Sequence, residues 1–146
     1  MTTLRLMVLM GALFTFALQN TNAQPYVCGE TTCYNGTKPV CIDNTTGCDV
    51  RVTVNYTCGN DSYSRTLVAE KSMPTGFCIP DDCCVESVVF VYAVGGSSST
   101  ITITEPGTSY CAGVCVACLT NVCTTWTEES DCDNASGYQF GIGCDS

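Results

Sequence analysis

From Cys48 to Cys58 the chain alternates without a break. Positions 48, 50, 52, 54, 56 and 58 are Cys, Val, Val, Val, Tyr and Cys, and the five positions between them are Asp, Arg, Thr, Asn and Thr. A period of two over this length predicts a strand with one dry and one wet face, both cysteines on the dry face. Gly59-Asn60-Asp61-Ser62 then reads as a hairpin turn into Tyr63–Glu70. In that second strand, a register that turns Tyr63, Leu67 and Ala69 inward also turns Arg65 inward. Val85–Val94, VESVVFVYAV, is β-branched and aromatic on both faces, as a central strand would be. Gly95–Thr100 reads as a flexible loop, after which TITITE (Thr100–Glu105) should return antiparallel.

A different period governs Tyr110–Trp126, YCAGVCVACLTNVCTTW. Counting from Cys111, the apolar or cysteine positions are Val114, Cys115, Cys118, Leu119, Val122, Cys123 and Trp126, and the intervening ones are small or polar except Val116. This one-sided stripe near a period of 3.6 predicts an amphipathic helix, with Thr108 or Ser109 as its cap. Its Gly, Thr, Val and Cys content is poor for a helix, so its cysteines would have to anchor it. Cys28–Cys48 is rich in turn residues (Asn35-Gly36, Lys38-Pro39, Asp43-Asn44-Thr45-Thr46-Gly47), and little regular structure is expected there. The expected fold is a small disulfide-rich α+β domain, mainly antiparallel hairpins with one cysteine-anchored helix over about residues 110–126.

Arg5 followed by the apolar run Leu6–Leu18 and a small-residue site ending at Ala23 reads as a signal peptide over residues 1–23. Residues 24–146 then form a single cysteine-rich extracellular domain, with no membrane insertion in the mature form. All fourteen cysteines fall in it: Cys28, Cys33, Cys41, Cys48, Cys58, Cys78, Cys83, Cys84, Cys111, Cys115, Cys118, Cys123, Cys132 and Cys144. In an oxidising compartment an even number implies full pairing, here seven bridges whose connectivity stays open. The adjacent Cys83 and Cys84 should take separate partners, since bridge geometry disfavours a bond between neighbours. The short spacing from Cys111 to Cys123 could suit zinc. Export, the absence of histidine and the interleaved apolar residues argue for disulfides, so no metal and no cofactor is expected.

Five N-glycosylation sequons begin at Asn35, Asn44, Asn55, Asn60 and Asn134. Asn55 falls on the wet strand face, Asn60 in a hairpin loop, and Asn35 and Asn44 in turns, so these four are expected to be accessible. The formal net charge is −9, and from Ser72 onward there is no Lys or Arg; such a surface repels nucleic acid and anionic lipid. Glu128, Glu129, Asp131, Asp133 and Asn134 gather oxygen donors that calcium could use. The EF-hand pattern nevertheless fails, with Ser136 where Gly is required.

Without histidine, Ser-His-Asp and Cys-His catalysis are excluded. Carboxylate chemistry remains, with Asp81-Asp82 and Glu128-Glu129 as the acids available, as does a redox pair at Cys115 and Cys118. The cysteine spacing differs from the epidermal-growth-factor, three-finger and hydrophobin patterns. The expected function is therefore a secreted, non-catalytic disulfide-rich glycoprotein acting by surface binding as ligand, effector, matrix component or carbohydrate-binding module. Its partner would be an extracellular protein or glycan, with Ser72–Gly76 and Gly95–Thr100 as contact loops. The alternative is a small secreted hydrolase inhibitor, displaying the loop Met73–Phe77 before Cys78, or a carboxylate-dependent hydrolase.

Overall fold

Gly95 and Gly96 set a tight turn. Both have positive φ (49° and 90°), which suits a two-residue hairpin loop, and Val94 pairs directly with Ser97 across it. The expected flexible loop is thus a sharp turn, and the returning strand begins at Ser97. The computed structural model describes residues 27–29, 31–115, 117–127, 132 and 135–145; the segment 1–23 read as a signal peptide, the acidic residues Glu128, Glu129, Asp131 and Asp133, and the sequon residue Asn134 lie outside them. In chain order the strands are β1 (Val27–Cys28), β2 (Thr31–Thr32), β3 (Thr37–Asn44), β4 (Val50–Cys58), β5 (Asp61–Ala69), β6 (Thr75–Pro80), β7 (Cys83–Val94), β8 (Ser97–Ile103), β9 (Ser109–Ala112), β10 (Val122–Trp126) and β11 (Tyr138–Cys144).

These strands form a five-stranded sheet ordered β6-β3-β11-β10-β9, a four-stranded sheet ordered β5-β4-β7-β8, and the small hairpin β1-β2. Every pairing is antiparallel except β11 with β3. The two larger sheets share one hydrophobic core. Val50, Val52 and Val54 of β4 with Val88, Phe90 and Tyr92 of β7 face Ile42, Trp126, Phe140 and Ile142 of the other sheet. Alternation along β4 is as the sequence dictates, with 50, 52 and 54 fully buried and 51 exposed.

Strand β7 departs from strict alternation for a definable reason. Val85 and Val88 are both buried although three residues apart. The register against β4 shifts between Asn55 and Tyr56, which pair with Ser87 and Val85, so Glu86 is the extra residue of a bulge. The inward position of Arg65 is also resolved. Arg65 pairs with Val54 on the edge strand, and its guanidinium lies 4.5 Å from the centre of the Phe77 ring, so the charge reaches the rim while its stem covers apolar surface.

Two expectations are overturned. No α-helix occurs among the described residues: 110–126 contains the end of β9, a loop and β10, and the architecture is nearly all β. The decisive constraint is the Cys111–Cys123 bridge. Residues 12 apart on a helix would be separated by about 18 Å along the axis, whereas these α-carbons are 4.1 Å apart, directly opposite each other on β9 and β10. The apolar spacing that mimicked a helical stripe belongs to two strands, with Val122, Thr124 and Trp126 inward on β10.

The second correction concerns Cys28–Cys48, which holds β3 inside the five-stranded sheet. Both faces of β3 are covered. The β1-β2 hairpin caps its outer face through the Cys28–Cys41 bridge, so alternation is erased. Pro39 is tolerated because the ladder from β11 starts one residue later, at Val40. Gly76 of β6 lies under the hairpin, where a β-carbon would come within 2.6 Å of the Val40 carbonyl oxygen.

Candidate binding surface

Six disulfides join Cys28–Cys41, Cys33–Cys78, Cys58–Cys83, Cys84–Cys132, Cys111–Cys123 and Cys118–Cys144. Cys83 and Cys84 take different partners. The remaining two cysteines, Cys48 and Cys115, bring their sulfurs to 3.0 Å. Cys115 is buried, and its sulfur is also 3.2 Å from that of Cys118. Three of the four cysteines considered for zinc (Cys111, Cys118 and Cys123) are consumed in bridges, and Cys118 bonds Cys144 instead of Cys115. This usage is typical of extracellular proteins. No helix of the described residues is long and apolar enough to cross a membrane.

The sulfurs of Cys115, Cys118 and Cys144 gather 3.7–3.9 Å from the Thr46 carbonyl oxygen. They fasten the 113–121 loop to the turn at 45–48, where Ala117 packs on Gly47. Hydrogen bonds hold both ends of the loop. The Tyr92 hydroxyl donates to the Gly113 carbonyl (2.9 Å), the Asp145 N–H to the Asn121 carbonyl (2.7 Å), and the Thr120 hydroxyl to the Asp145 carbonyl. Leu119, between the tethered Cys118 and Thr120, is completely exposed, and Val114 is partly so.

At the opposite hairpin, Tyr63 is 48% exposed and stacks on Tyr56 with ring centres 5.5 Å apart. Both rings line an open groove of about 350 Å³ with Cys58, Pro80 and Asp82. No second carboxylate lines this groove among the described residues; Asp81, whose backbone N–H donates to the Gly36 carbonyl, is not part of its wall. The paired-acid geometry of a glycosidase is not assembled at Asp81-Asp82.

The sequons separate sharply. Asn35 and Asn60 are exposed in turns. Asn55 is half-buried on the outer face of β4, its amide donating to the Ser87 hydroxyl at 2.9 Å. Asn44 is the correction. It ends β3, is fully buried, and donates to the carbonyls of Cys48 (2.7 Å) and Ala69 (2.8 Å) while its oxygen accepts from the Thr46 N–H and hydroxyl. The amide nitrogen that would carry a sugar is fully engaged, and Thr46 of the sequon is buried with it. The same asparagine pattern that signals an accessible turn also serves a buried junction between β3, β4 and β5.

Of the loops expected to make contacts, Ser72–Gly76 exposes Met73, whereas 95–100 is mostly hairpin. The helical spacing hides the 113–121 loop, because a helical stripe would bury Leu119; the charge-free run Pro106–Thr127 is the sequence signal that marks the loop. Comparison with protein-family models, curated proteins and solved structures finds no match, so function rests on this geometry.

Proposed function

We propose that this chain is an exported, non-catalytic glycoprotein that acts by presenting rigid, disulfide-locked loops to an extracellular partner. The observation that carries the reading is the contrast at the 113–121 loop, where a backbone tethered on both sides holds an apolar side chain entirely in solvent. Rigidity lowers the ordering cost of association, and an exposed apolar anchor supplies binding energy. Export after Ala23 and sugars on the exposed Asn35 and Asn60 belong to this reading. So does a seventh bridge between Cys48 and Cys115. Its two thiols would pass two electrons and two protons to an oxidised dithiol carrier of the secretory compartment, which is itself reduced.

Glycosylated recombinant protein should be applied to arrays of glycans, matrix components and extracellular proteins. Saturable binding to one class, lost when the disulfides are reduced, is the expected result. Turnover of a substrate, or binding indifferent to reduction, would overturn the reading.

A further inference from the structure

We infer that Leu119 is the anchor of an endopeptidase-inhibiting loop, entering the apolar primary-specificity pocket of an extracellular serine endopeptidase; the inference rests on the binding reading above. The loop offers one branched aliphatic side chain with complete exposure. Leaving such a side chain in water forgoes its burial free energy, which a fitting pocket restores. No charged residue occurs from Pro106 to Thr127, so the surroundings suit a pocket without charge and disfavour one built around a carboxylate.

Connectivity separates an inhibitor from a substrate. The peptide bond after Leu119 is spanned by three bridges, Cys84–Cys132, Cys111–Cys123 and Cys118–Cys144. Residues on both sides are held independently: Cys118 by its disulfide, Thr120 and Asn121 by hydrogen bonds to Asp145. Cleavage there would release no fragment, and the new ends would stay beside each other. A cut substrate leaves because its halves separate; this loop keeps its halves in register, so it occupies the enzyme. The loop therefore has both features inhibition needs, an anchor matched to a pocket and a scaffold that survives attack at that anchor.

The test is titration of chymotrypsin-like, elastase-like and trypsin-like endopeptidases with the glycosylated protein, alongside Leu119→Gly and Leu119→Lys. Because Leu119 is completely exposed, both variants should be secreted with wild-type circular dichroism. Expected is stoichiometric inhibition of at least one apolar-pocket enzyme and none of the trypsin-like one. Leu119→Gly should weaken inhibition at least 100-fold, and Leu119→Lys should move it toward the trypsin-like enzyme. Absence of inhibition, inhibition unchanged in Leu119→Gly, or progressive degradation of the intact protein would overturn the inference. Array binding retained by Leu119→Gly, together with any of these failures, would leave the broader binding reading standing with its contact surface elsewhere.

Discussion

Replacing Val52 by aspartate should abolish secretion of folded protein, while aspartate at the adjacent Thr53 should be tolerated. Val52 is fully buried, with Leu67 and Phe90 as its cross-strand neighbours. The substitution forfeits about 1.5–3 kcal/mol of apolar burial and adds several kcal/mol for desolvating a carboxylate. Their sum consumes most of a typical domain stability of about 5–15 kcal/mol. Thr53 faces outward and shares a 2.9 Å hydrogen bond with Thr66 on the exposed face, so its loss should cost about 1 kcal/mol. Val52 is a cleaner probe than Val54, whose neighbour Arg65 could pair with an introduced acid. Secreted yield and the thermal midpoint decide the matter, and a Thr53→Asp defect equal to that of Val52→Asp would mean the faces are reversed.

Asn44→Ala should be nearly as severe. The change removes four hydrogen bonds at once, taking the side-chain amide donor from the Ala69 carbonyl and the acceptor from the buried Thr46 N–H, while the Cys48 carbonyl keeps the Thr46 hydroxyl. Each buried group left unsatisfied costs about 1–3 kcal/mol, and because these share one network the total should be about 3–5 kcal/mol. Asn35→Ala, in an exposed turn, should change stability by less than about 0.5 kcal/mol. Chemical denaturation of the purified variants measures both. Mass spectrometry of wild type should find Asn44 without sugar; a glycan there would contradict the buried junction.

The sheet β5-β4-β7-β8 was legible because β4, β7 and β8 show one face to the core and the other outward, so period two survives in the sequence, while the edge strand β5 is exposed except near Leu67 and Ala69. The exceptions have local causes, the bulge at Glu86 and the reach of Arg65 over Phe77. The five-stranded sheet was not legible. Its strand β3 is covered on both faces and carries Lys38-Pro39, which reads as loop. Lys38 is instead buried, donating to the Cys132 carbonyl at 3.2 Å with its charge 5.3 Å from the Tyr138 ring centre. That environment is assembled from residues about a hundred positions away, and no local pattern encodes it.

Residues 110–126 misled for the opposite reason: a genuine periodicity arose by coincidence from two strands and a stapled loop. The cysteine positions were plain, but their pairing was not, and Cys111–Cys123 alone excludes the helix. Leu119 followed that error. On a helical stripe it is core, whereas on a loop fixed at Cys118 and Thr120 it is the most exposed large apolar residue described.

Quantitative thiol titration tests the central claim, a β scaffold locked by seven bridges including Cys48–Cys115. Each native bridge contributes about 2–4 kcal/mol, so together they exceed what a chain of this size otherwise holds. In denaturant without reductant, the purified protein should react with no thiol reagent. After reduction all fourteen cysteines should react and the β signal in circular dichroism should be lost. Two reactive thiols before reduction, mapping to Cys48 and Cys115, would contradict the claim, as would a β signal that survives reduction.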